Sequence, residues 1–262
     1  AVCPAAMTSP KEAALRPSLS PCRLLLTAAL VLAGGTAAAG TAGTAPDPAD
    51  RLNQAAVASA HPLATEAGRE VLAAGGNAFD AAVAVSAALA VVEPYSSGLG
   101  GGGFWLLHQA DTGRNVMVDG REEAPEAATA DMYQDDAGEV IDGASINGPR
   151  AAGVPGEPAA LAHIADKYGN LELAETLAPA IRKARQGFEV TEAYRGMARF
   201  RQELLRSHPD AAEQFLDDGA VPAVGAVIRQ PDLADTLRHL AEEGRAGFYQ
   251  GSVAEELVRA TR

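Results

Sequence analysis

Asp119-Gly120-Arg121-Glu122-Glu123-Ala124-Pro125 follows an apolar run and sets one arginine among acids. A guanidinium presents a planar fork that takes a carboxylate through two hydrogen bonds. Arg121 could therefore hold an acidic substrate, or it could be closed in an ion pair with Asp119 or Glu122. Residues 98–103 read Gly-Leu-Gly-Gly-Gly-Gly, a formal match to G-x-G-x-x-G. A dinucleotide site needs a strand before those glycines and a helix after them. Here a helical pattern ending at Glu93-Pro94 comes before and a strand pattern after, so the order is reversed. Two roles remain for the run. Either it lets backbones pack where no Cβ fits, or it helps Ser96, Ser97 and nearby amides line a cleft.

Other chemistry is sparse. No G-x-S-x-G occurs, and the five histidines (His61, His108, His163, His208 and His239) lack partners at informative spacing. Glu122-Glu123 and Asp135-Asp136 fall in polar loops and read as solvated pairs. With two cysteines and no C-x-x-C or H-E-x-x-H, no metal site or cofactor is expected. The formal net charge of the 262 residues is -13, which repels phosphate backbones and argues against nucleic-acid binding.

The elements that must position Arg121 are mostly helical in pattern. Pro62 to Ala74 carries Leu63, Ala67, Val71 and Leu72 on one face and stops at Gly75-Gly76. Asn77 opens a helix over Ala78–Val92 that is apolar almost all round, which predicts burial on most sides. Phe104–His108, a turn at Asp111-Thr112-Gly113 and Asn115–Asp119 predict a β-hairpin. Residues 125–150 read as acidic and irregular. Further helices are expected from Pro155 to Gly169, over Leu173–Gln186, from Thr191 to about Arg206, from Pro231 to Gly244, and from about Ser252. The stripe Val253, Ala254, Leu257 and Val258 is still in phase at Arg262, which reads as truncation.

The first residues differ in kind. Lys11, Arg16 and Arg23 lead into Leu24–Ala33, and small residues follow to Ala37-Ala38-Ala39. Residues 1–39 therefore read as a secretory signal with an extension upstream of Met7, and an uncleaved anchor is the alternative. The apolar run falls short of the twenty or so residues that span a bilayer, and no later stretch is apolar enough, so no stable membrane span is expected after cleavage. Cys3 and Cys22 would leave with the signal. Residues 40–51 read as a flexible linker and 52–262 as the folded domain, destined for the periplasm or secretion.

In order, His61–Gly68, Ala73–Ala82, Glu93–Phe104, Asp119–Pro125 and Gly153-Val154-Pro155-Gly156 resemble the large subunit of bacterial γ-glutamyltransferases. Weaker similarity runs through Asp166–Gly169, Ala184–Phe188 and Gly247–Gly251. The resemblance implies an α+β fold, the αββα four-layer sandwich of N-terminal nucleophile hydrolases, present here as an incomplete, helix-rich large-subunit portion with exposed sheet edges. It implies a precursor that cuts itself, exposing a threonine at the start of a small subunit. That threonine attacks the γ-glutamyl amide of glutathione, and the acyl-enzyme passes its glutamyl group to water, an amino acid or a peptide. Arg121 matches the motif arginine implied to bind the donor's α-carboxylate, and the glycine run becomes mainly architectural.

No threonine here lies in the cleavage motif, so the nucleophile is expected beyond Arg262 and this chain alone is expected to be inactive. Gly120 stands where many glutathione-active members carry a side chain. A β-lactam or other acyl-amide acylase on the same scaffold therefore remains an alternative, as does a non-catalytic binding protein that keeps Arg121.

Overall fold

The computed structural model describes residues 55–261. The signal, the cleavage site, the linker and the start of the domain at residue 52 lie outside these residues.

Helix α1 (Pro62–Ala73) starts with proline at its first position, where a missing N–H costs nothing, and His61 Nδ1 accepts from Leu63 N at 3.1 Å. Its buried face is Ala64, Ala67, Gly68 and Val71. Gly75, at φ +100°, makes the turn that ends it. Helix α2 (Ala78–Val92) opens with a capping box. Asn77 Oδ1 accepts from Phe79 and Asp80 amides, and Asp80 Oδ2 accepts from Asn77 N at 2.8 Å. Nine of its residues are buried, as an all-round apolar pattern requires.

The predicted hairpin is present: β1 (Gly103–Gln109) pairs antiparallel with β2 (Arg114–Gly120), in the register Gly103↔Gly120 and Leu106↔Met117. Trp105, Leu107, Val116 and Val118 face the core, whereas Phe104, Leu106 and Met117 are exposed on the other face. Among the described residues the hairpin has no third strand.

Helix α3 (Glu157–Tyr168) starts two residues later than the proline signal suggested. The Pro155 carbonyl accepts from Tyr249 Oη at 2.6 Å instead of opening the helix. Helix α4 (Leu173–Gln186) follows, and Gly187 at φ +94° leads into β3 (Phe188–Glu189). Helix α5 (Glu192–Ser207) is capped by Thr191, whose side chain accepts from Tyr194 N at 3.1 Å. Thr191→Ala should lower stability by about 1 kcal/mol, read as a shift in the denaturant midpoint; an unchanged midpoint contradicts the cap's role.

Three further elements carried no periodic signal. They are α6 (Pro209–Phe215), β4 (Val227–Ile228), which pairs with β3, and α8 (Ala246–Tyr249). Helices α7 (Pro231–Glu243) and α9 (Gly251–Ala260) lie close to their expected places. The core forms where α2 meets Leu161 and Ile164 of α3 and Leu177 and Ala180 of α4, and where α4 in turn packs on α7, which adds Leu237 and Leu240. No helix of the described residues is long and apolar enough to cross a membrane.

Candidate functional site

Three segments far apart in sequence cross at the end of the hairpin: residues 101–103, 119–123 and 153–157. A Cβ on Gly102 would fall on the Gly120 carbonyl oxygen and 2.9 Å from Arg121 Cα. One on Gly156 would fall on the same oxygen, and 2.7 Å from the Gly120 carbonyl carbon. The glycines therefore act as packing residues, letting three backbones lie where side chains cannot. Gly101 O accepts from Gly156 N and Glu157 N at 3.0 Å each, which pins the start of α3 to the glycine run. Glu123 and Val154 pair through both of their amides at 3.1 and 2.8 Å.

Arg121 sits in this crossing on the loop that leaves β2. Its backbone N–H donates to Asp119 Oδ1 at 3.0 Å, which turns the chain. Its guanidinium Nε lies 3.3 Å from Glu122 Oε2, and the side chain is 57% exposed. Of the two acids that could have closed the ion pair, Glu122 takes the guanidinium and Asp119 takes the backbone. The pair engages Nε, so a bidentate carboxylate would be met end-on by the two terminal nitrogens.

Glu157, the first residue of α3, was not singled out by its sequence. Burial, and then the charge of Glu122, push its carboxyl up to about 7. The signal was present, since an acid directly follows the Gly153-Val154-Pro155-Gly156 motif.

Ser96 and Ser97 do not offer amides to a cleft, because both N–H groups donate to Glu93 O at 2.9 Å in a turn. The histidines stay apart in separate roles. His61 caps α1, His108 Nδ1 lies 2.9 Å from Asn115 Oδ1, and His163 stacks edge-on against Tyr168. His208 Nδ1 lies 3.0 Å from Leu204 O, and His239 is 3.6 Å from Glu243. Gly120 is buried and faces inward, and a Cβ there would come 2.6 Å from both Trp105 and Ala160. The missing side chain at position 120 thus concerns packing of the hairpin on α3. Among the described residues no group of three or more His, Cys, Asp or Glu is placed to hold a metal ion.

The sequence matches the gamma-glutamyltranspeptidase family over residues 64–262. It is 41% identical over 207 residues to a glutathione hydrolase proenzyme of Pseudomonas sp. (strain A14), a match covering 79% of this chain and 36% of that protein. The structure resembles the Helicobacter pylori gamma-glutamyltranspeptidase with a TM-score of 0.76 and 39% identity, over 78% of this chain and 59% of that one. It resembles the cephalosporin acylase of Bacillus halodurans with a TM-score of 0.67 and 36% identity, over 75% of this chain and 37% of that one. The chain spans little more than a third of the length of the curated relatives it matches. The fold is that of this N-terminal nucleophile hydrolase group, represented by a helix-rich α+β portion with two small sheets among the described residues. With the family match running through all three crossing segments, the chain belongs to the gamma-glutamyltranspeptidase family.

Proposed function

We propose that this chain contributes the substrate-carboxylate subsite of a γ-glutamyltransferase and glutathione hydrolase, acting with a small subunit cut from the same precursor. The observation that carries the reading is Arg121, an exposed guanidinium fixed on a glycine-packed crossing and tethered through Nε. In this reading it takes the α-carboxylate of the γ-glutamyl donor. The small subunit's N-terminal threonine then attacks the γ-amide carbon through its hydroxyl oxygen. Its proton passes by way of the α-amine to the departing nitrogen, the C–N bond breaks, and an acyl-threonine ester remains. Water or the amine of an amino acid or peptide opens that ester and restores the threonine hydroxyl. Residues 1–39, a basic lead, a short apolar run and small residues, support export to the periplasm or beyond.

The product of the full gene should hydrolyse a γ-glutamyl anilide. Arg121→Lys should lower its kcat/KM roughly 10- to 150-fold, through loss of a charged bidentate contact. An unchanged kcat/KM removes Arg121 from the site. Preference for a glutaryl side chain over the γ-glutamyl group would instead make the protein an acylase.

A further inference from the structure

We propose that Glu157 is a positioning residue of the Arg121 subsite, a second carboxyl behind the Arg121–Glu122 pair whose charge sets how firmly the subsite holds a carboxylate. The inference rests on the reading of Arg121 given above and adds a control of that site from α3. The two amide bonds to Gly101 O fix the first residue of α3 against the glycine run. From there Glu157 Oε2 lies 4.0 Å from the point where a Cβ on Gly103 would sit, and Glu122 Oε1 lies 3.3 Å from the matching point on Gly101. Both carboxyls thus border one short stretch of backbone that carries no side chain to separate them. Glu122 Oε2 is buried without a hydrogen-bond partner and meets Arg121 Nε as its ion-pair contact. Glu122 is therefore held to Arg121 by charge, and a further charge nearby acts on both.

The other charged or titratable groups around Glu157 do not supply the change. On the β2 side this is Glu122, whose ion-pair partner is Arg121. On the α8 side is Tyr249, whose hydroxyl donates to Pro155 O at 2.6 Å and accepts from Ala159 N at 3.3 Å, with Arg245 over its ring at 5.3 Å. Burial raises the Tyr249 phenol, so it stays neutral through neutral pH, and a guanidinium does not give up its proton in proteins. The Glu157 carboxyl, held up to about 7, loses its proton within that range. Below that point Arg121 and Glu122 balance each other. Above it an added negative charge opposes an incoming carboxylate, and the affinity for an anionic donor falls roughly three- to tenfold.

The test compares the processed product of the full gene with its Glu157→Gln variant, with a γ-glutamyl anilide as substrate. Wild-type KM should rise roughly three- to tenfold as pH passes 7. The Gln variant should keep the low KM throughout, with kcat alike in the two proteins at each pH. Thermal unfolding gives a readout independent of activity. The folded state keeps a proton up to about pH 7, whereas an unperturbed Glu releases it near 4.5, so wild-type stability should fall relative to the variant across that interval. Diverging melting temperatures with superimposable KM profiles overturn the proposal and leave the Arg121 reading intact. Parallel melting temperatures also overturn it. An unaffected Arg121→Lys enzyme overturns the underlying reading, whatever Glu157 does. Should the Gln variant not accumulate, Glu157→Asp keeps the carboxyl and must retain a KM step; its loss overturns the proposal.

Discussion

Gly102→Ala should destabilise the protein by about 3 kcal/mol and raise the donor's KM in the same variant. The methyl group would fall on the Gly120 carbonyl oxygen and press on Arg121 Cα, 2.9 Å from its ideal position. A flexible side chain could swing away, but both neighbours are backbone, and the chain is held on either side of them. Gly103↔Gly120 pairing fixes one side, and the Glu123–Val154 bridge fixes the other. The displacement must therefore pass into the loop that carries Arg121, which links packing to recognition. Gly100→Ala is the matched control, because nothing lies within 4 Å of its Cβ position, and its cost should stay within about 0.5 kcal/mol. Equal denaturant midpoints for the two variants would contradict the crossing described here.

Asp80→Ala should cost about 3–5 kcal/mol. The Asp80 side chain is 0% exposed and its carboxylate accepts from three backbone amides, Asn77 at 2.8 Å, Asn170 at 2.9 Å and Leu171 at 3.4 Å. It therefore caps α2 and ties the α3–α4 turn to that cap. Asn77 Nδ2 adds a bond to Tyr168 O at 2.7 Å across the same junction. Alanine would leave these part-buried donors without their acceptor, and N–H groups that lose their partner are costly. Asp80→Asn keeps one acceptor oxygen and should lose about half as much. Hydrogen exchange at Asn170 and Leu171 should quicken in both variants, in proportion to the loss. Protection equal to wild type, or a loss of under about 1 kcal/mol for Asp80→Ala, would mean that the α3–α4 turn is held by something else.

The helices were legible because their signals are local. Asn77, Thr191, and Pro231 with Gly244 each announce a terminus within a few residues, and α2 and α4 lie where the pattern put them. The hairpin was legible from alternation and the Asp111–Gly113 turn. Two-residue strands such as β3 and β4 have no period to detect, and α6 starts on Pro209 immediately after α5 has ended.

Much of the candidate site lay in motifs the sequence displayed, but their meeting point did not. Gly102, Gly120 and Gly156 were read separately, and only the fold shows them closing on one carbonyl oxygen. Chemistry alone left Arg121 between two partners. Geometry divides them, giving Glu122 the guanidinium and Asp119 the backbone amide. Glu157 stayed unseen because a glutamate at a helix start is common on sequence grounds. Its significance comes from burial beside a residue 35 positions away, which no local pattern encodes.

Intact mass measurement of the native gene product, with N-terminal sequencing of every species, tests most directly whether this chain serves a self-processing transferase. Two chains are expected, the larger containing Arg121 and the smaller beginning with threonine. A single uncut chain, or a smaller chain beginning with any other residue, would contradict it.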